Sequence, residues 1–494
     1  MASSVKRKAS ASDPAARSRT QMRERTARLL ETFVFYALIV LVTLASIPYG
    51  SNEDWWEALV ACAVYALTVL WIIEGMICGR WRVPYEQRRL FYPLIGLACF
   101  AFLQSLPLWR GTLSPLGAGA QTWWAISADP FETRLFVFRL LALMLVCAML
   151  LGYTTTERRV RALVYTVMCV ATASALFGIL RQATEGQASL AILPRLKPWE
   201  GYAQFVNRNH FAFLMELALG LVLGLLAGKG VRREQLLIFL AAVLPLWTAL
   251  SLSASRGGIL SALTQLLMIA LLWQSMRRDR ATTEPENDWL ARLRRISSLR
   301  VVRLLLILCL CAGVMVSIVW IGGEPTVTRF ETVAGDFKAE GRYGASRLDI
   351  WRATWELIKS QPIVGTGLNG YWVAITRFHD ASGFYTPQQA HNDYLEILAG
   401  GGIIGAGLAA WFLFELIRRI RSRLRAEGDT FSRAAAFGAT VGLFGVAVHS
   451  IFDFGLHIMA NALVCTLLIV IATAQVRAAD QAERKRKDAT ALRR

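Results

Sequence analysis

Long apolar runs alternate with short polar connections along most of the chain. Residues 236–250, 304–321 and 434–448 are nearly uninterrupted stretches of this kind. Such runs approach the roughly 20 residues that an α-helix needs to cross a hydrocarbon core. Backbone groups at that depth find no water, so the runs must be helices. The pattern predicts an all-α polytopic membrane protein with about twelve transmembrane helices. They are placed near residues 33–48, 56–78, 90–107, 135–152, 160–180, 211–228, 235–252, 258–274, 302–321, 392–417, 433–453 and 457–475. One large loop, 322–390, separates the ninth span from the tenth. The expected organisation is a basic leader (1–32), spans one to nine (33–321), the loop with an amphipathic helix (322–390), spans ten to twelve (391–475) and a basic tail (476–494).

Charge then orients the bundle. Strongly basic connections, such as Arg80/Arg82/Arg88/Arg89, Arg158/Arg159/Arg161 and Lys229/Arg232/Arg233, alternate with connections poor in Lys and Arg. Residues 48–55 carry neither, and 108–134 carry only Arg110 and Arg134. The positive-inside rule places the basic set and both termini in the cytoplasm. The long loop then faces the periplasm or cell exterior. The net charge of +19 is dispersed in these clusters, which argues against a nucleic-acid-binding stripe. With 55% hydrophobic residues the chain falls outside the range of ordinary soluble domains. The eight cysteines sit in or at the edge of apolar runs without CxxC spacing, so they read as small apolar residues. The first apolar run lacks a small-x-small end and is read as an uncleaved span.

Three outer segments carry arginines against that bias: 181–210, the turn 253–258 and the loop 322–390. All five histidines, His210, His379, His391, His449 and His457, also map to the outer side. In the turn, Arg256 precedes Gly257-Gly258 at the start of a helix, where unpaired N–H groups attract anions. The alternative is an arginine snorkelling to lipid head groups. In the loop, Ser346 and Asp349 form a capping-box variant that opens a helix. Leu348, Trp351, Trp355 and Ile358 would share one face of it, with Arg352 beside them. Arg347 in its first turn opposes the helix dipole, which implies an anionic partner. Where the loop regains the membrane, His391 and Asn392 precede Gly400-Gly401-Gly402 and Gly405, and a neutral imidazole there could accept a proton from a hydroxyl. Asn207, Arg208, Asn209 and His210 could bind sugar hydroxyls or pyrophosphate, or an asparagine could simply cap the next helix. His449, Asp453, His457 and Asn461 recur every four residues. They read as a mutually paired polar network in preference to a metal site.

The Ser255-Arg256-Gly257 turn, the Arg347-x-x-x-Trp351 helix followed by Gly365-Thr366-Gly367, and His391-Asn392 leading to Gly402-x-x-Gly405 resemble the O-antigen ligase and polymerase superfamily. The resemblance covers about 200–475; the first five spans match in topology alone. It implies a metal- and cofactor-independent glycosyltransferase of the bacterial inner membrane. Such an enzyme moves a glycan from an undecaprenyl-pyrophosphate carrier to a lipid or glycan acceptor hydroxyl at the periplasmic face. It implies that Arg256 and Arg347 hold the pyrophosphate and that His391 activates the acceptor in a single inverting displacement. Arg208, His210, Asn207, Asn392, Trp351 and Arg352 are the expected substrate-binding residues. The Asn207-Arg208-Asn209-His210 segment looks like a version seen in exopolysaccharide-polymerase-like members, so ligation and polymerisation both remain open. A secondary transporter would carry a longer joint between two six-span halves than 228–234 provides. A non-catalytic scaffold is the other alternative.

Overall fold

A computed structural model describes residues 14–476 except 52, 80–82, 113–120, 185–192, 194–195, 197–200, 278–346, 380–386 and 427–429. The described fold is helical: α1 (Pro14–Ala45), α2 (Asp54–Cys78), α3 (Phe91–Gln104), α4 (Pro130–Tyr153), α5 (Glu157–Ala183), α6 (Arg208–Ala227), α7 (Leu236–Leu252), α8 (Arg256–Arg277), α9 (Arg347–Ser360), α10 (Asp393–Arg425), α11 (Thr430–His449) and α12 (Met459–Thr473). A short antiparallel hairpin pairs Trp109–Thr112 with Gln121–Trp124 between α3 and α4, an element absent from the all-α expectation. Among the described residues, eight helices are long and apolar enough to cross a membrane, and α8 and α12 contribute shorter apolar helices. Eleven of the twelve expected spans coincide with helices. The one at 302–321 lies outside the described residues, as do Ser346 and the loop segments 322–346 and 380–386.

Beyond its polar first turn and Glu216, helix α6 is apolar all round, and it is buried on nearly every side, as the centre of a bundle requires. Its closest partner is α11, and the reason is a register of small residues. Gly220 faces Gly442 and Gly224 faces Gly438; a Cβ at either α6 position would overlap the α11 backbone. In a bilayer no hydrophobic effect drives helices together, so this backbone approach supplies the packing contacts. Helices α5, α7, α8 and α12 also pack around α6, and α1 and α4 join the same continuous core, which includes Phe35, Met149, Phe211 and Leu467.

The second organising feature is a break in α10. Gly402 leaves helical geometry at φ 57°, ψ −161°. The backbone groups freed there are satisfied by the segment after α9. Thr366 N donates to Ala399 O at 3.0 Å, Gly367 N to Gly400 O at 2.9 Å, and Ile403 N to Pro362 O at 2.9 Å. Gln104 of α3 adds its amide to Val364 O and Gly400 O at 2.6 and 2.9 Å. Irregular backbone within a span survives only when protein satisfies it in this way. The Gly365-Thr366-Gly367 and Gly400-Gly401-Gly402 motifs are therefore the two halves of one joint, which locks α9 to the first turns of α10.

The buried face of α9 is not centred on the tryptophans. Ile350, Ala353, Thr354, Leu357 and Ile358 are buried, whereas Trp355 is 51% exposed. The small Ala353 and Thr354 permit close packing, and Thr354 Oγ1 lies 2.7 Å from the hydroxyl of Tyr371. The tryptophan spacing marked a face rotated from the one that packs.

Candidate active site

The helix starts of α6, α8, α9 and α10 gather at one end of the bundle, beside the turn that follows α11. Their meeting point is Asp453, whose side chain is 1% exposed. Its Oδ1 lies 3.4 Å from His391 Nδ1 and accepts from its neighbour Phe454 N at 2.9 Å. Its Oδ2 lies 3.5 Å from the Arg347 guanidinium and accepts from the Asn209 amide. Burial pushes this carboxyl up. The hydrogen bond from His391 and the attraction of His210, His391 and Arg347 outweigh it and hold the group well below the usual carboxylate range. The anionic partner that the position of Arg347 implied is thus Asp453. Phe454 completes the cluster as an apolar hub: the rings of His210, His391 and His457 meet it edge-on, with centroids at 4.7, 5.0 and 5.9 Å.

His391 is held from both sides. Its backbone adopts φ 50°, a left-handed conformation uncommon outside glycine, and the residues around it over-determine that geometry. Trp351 Nε1 donates to Ala390 O at 3.0 Å, which ties α9 to the preceding residue. Glu396 accepts from Ala390 N at 3.0 Å. Asn392 caps α10, its side-chain oxygen accepting from Tyr394 N and Leu395 N at 3.0 Å each, and Asp393 N donates to Ser450 O at 2.9 Å. Trp351 and Asn392, expected to bind substrate, make their hydrogen bonds to the backbone flanking His391.

The remaining expected residues divide. His210 is buried against Phe454, and its carbonyl accepts from Asn461 at 2.9 Å. Asn207 caps α6 through Asn209 N at 2.8 Å, and its amide lies 3.5 Å from His210 Nε2. Arg208 opens α6 beside them. Arg256 is the first residue of α8, and the next residue, Gly257, lies directly against the His449 ring. Arg352 stands apart, exposed and paired with Asp349 at 3.4 Å. The periodic row resolves into separate partners: His449 bonds Glu216, Asp453 takes His391 and Arg347, and His457 Nε2 lies 3.5 and 3.7 Å from Asp393 and Glu396. Among the described residues no group of three or more His, Cys, Asp or Glu is arranged to hold a metal ion.

The pairings of this site escaped sequence reasoning, although Asn209 was among the candidate ligands for sugar hydroxyls or pyrophosphate. Asp453 was visible only as one of a periodic row, and nothing in that row separates it from its neighbours. Asn209 and Glu216 meet their partners only through the α6–α11 packing.

No curated protein matches the chain. A family model described as O-Antigen ligase matches residues 240–410. That stretch begins in α7 and carries Arg256, Arg347, His391 and both halves of the glycine joint. Over that stretch the chain is similar to the O-antigen ligase family.

Proposed function

We propose that this protein transfers a glycan from undecaprenyl pyrophosphate to an acceptor hydroxyl at the periplasmic face of the inner membrane, without a metal ion. The observation that carries the reading is the Asp453–His391 pair set among Arg347, Asn209 and four helix starts. Helix N-termini and guanidinium groups attract an anion of pyrophosphate type. A buried carboxylate on one imidazole nitrogen leaves the other for a proton from the acceptor. The sidedness rests on the alternation of basic connections along the chain.

In this reading Asp453 accepts Nδ1–H of His391 and so fixes the tautomer. Nε2 of His391 takes the acceptor's proton as its oxygen attacks the anomeric carbon. The bond from that carbon to the carrier's phosphate oxygen breaks, and its electron pair stays on the leaving pyrophosphate. Arg256 and Arg347 neutralise the charge that develops there, a role worth most in a site that excludes water. A single displacement of this kind inverts the anomeric centre.

Purified protein with a lipid-linked donor tests the reading. Product should form in the presence of excess chelator; inactivation by EDTA that one added metal reverses would overturn metal independence. Ligation onto lipid A core and polymerisation of repeat units use the same chemistry. A deletion strain separates them: a ligase loss leaves lipid-linked polymer without long-chain lipopolysaccharide, and a polymerase loss leaves single repeats.

A further inference from the structure

Glu216 and His449 lie wholly inside the bundle, at 0% and 1% exposure, and the chemistry proposed above uses neither. Glu216 Oε1 is 2.5 Å from His449 Nδ1, and the imidazole stacks on Phe213 with centroids 4.2 Å apart. Ionisable groups within a span are costly and persist where they are paired and serve a purpose. Simple glue between α6 and α11 is a weak purpose here, because the glycine register already holds those helices at backbone contact.

The pair touches something else. The far edge of His449, its Nε2 and Cδ2, fills the space that a Cβ of Gly257 would need. A Cβ on Gly258 would come within 3.3 Å of Glu216 Oε1 and 2.7 Å of Ala212. Gln265, one face further along α8, donates to Glu216 O at 3.1 Å. The first turn of α8 therefore rests directly on the buried pair, and Arg256 is the residue that opens that turn. Ser255 closes the same turn, its hydroxyl accepting from Gly258 N at 3.2 Å.

We infer that Glu216 and His449 are positioning residues for Arg256: together they form the seat on which the first turn of α8 sits, and so set where its guanidinium meets the donor anion. This rests on the donor-binding role proposed for Arg256. A seat of this kind works only with glycine at 257, and displacement of the turn enough to break a charge-assisted contact to the donor would cost on the order of ten- to a hundredfold in affinity.

The test measures binding of undecaprenyl pyrophosphate to the full-length protein in detergent, for Glu216→Gln, Gly257→Ala and Arg256→Ala, singly and combined. Glu216→Gln keeps a hydrogen bond to His449 while removing the charge. Gly257→Ala introduces no polar group and serves where the first variant fails to insert. Each single variant should weaken binding about ten- to a hundredfold. In the Arg256→Ala background neither should weaken it further, because the residue through which they act is gone. A full additional loss in that background would make the pair a general structural element and overturn the inference. Singly substituted proteins that bind like wild type would overturn it too. If Arg256→Ala alone binds normally, the donor assignment of Arg256 fails first and takes this inference with it.

Discussion

Asp453 concentrates the chemistry of single residues. Replacing it by Asn keeps the shape and removes the charge that His391, Arg347 and Asn209 share. Turnover should fall by about two to four decades, since in the proposed mechanism that carboxylate fixes the tautomer of His391. Wild-type turnover in purified Asp453→Asn would remove Asp453 from the site. The same carboxyl gives a pH prediction. Its pKa is held below that of the unfolded chain, so the stability it contributes is present above the unfolded value of roughly 3.9 and is lost only as pH falls through the folded one. The difference in melting temperature between wild type and Asp453→Asn should therefore stay level from about pH 5 to about pH 8. A difference that shrinks across that range would show the carboxyl taking up protons there. Arg256→Ala and Arg347→Ala should each lose about 2–4 kcal/mol of transition-state stabilisation, a roughly 30- to 1000-fold fall in rate. Arg352→Ala, by contrast, should turn over near the wild-type rate, because its side chain is exposed and paired with Asp349.

At the scale of elements, the break in α10 ties the fold to the site. A Cβ on Gly402 would overlap Ile363 O, and the backbone there is left-handed. Gly402→Ala should thus loosen the joint with residues 362–367 and release the start of α10, lowering turnover even though the substitution is remote from His391. Thermal melting and activity measured together check this; an active, normally stable Gly402→Ala would mean that the joint does not hold the site. The existence of these helices was legible in hydropathy, and eleven expected spans fall on helices. The candidates His391, Arg256 and Arg347 were visible as polar residues at helix starts, and Arg256 also precedes two glycines. Their partners were not. Asp453 lies 62 residues from His391, and Glu216 lies 233 from His449; such pairs arise from packing, which no local pattern encodes. The cap role of Asn392 was local and hidden by a more conspicuous neighbour. The packed face of α9 was not singled out, because it includes the small residues Ala353 and Thr354, which a periodicity of large apolar side chains does not pick out.

For the molecule as a whole, the bundle places four histidines, the arginine-bearing helix starts and the buried carboxylate at one end. The proposed orientation puts that end outside. In a background with the native cysteines replaced, Val206→Cys should react with a membrane-impermeant thiol reagent in intact spheroplasts, and Arg232→Cys only after lysis. The reverse pattern would turn the protein over. The central claim is that this end holds two separable devices, an anion site that keeps the donor and a proton acceptor that activates the nucleophile. The most direct test is His391→Ala, purified in detergent, with donor binding and turnover measured on the same preparation. Turnover should fall by about two to four decades while undecaprenyl-pyrophosphate-linked donor binds as in wild type. Unchanged turnover would contradict the account, and so would donor binding lost together with it.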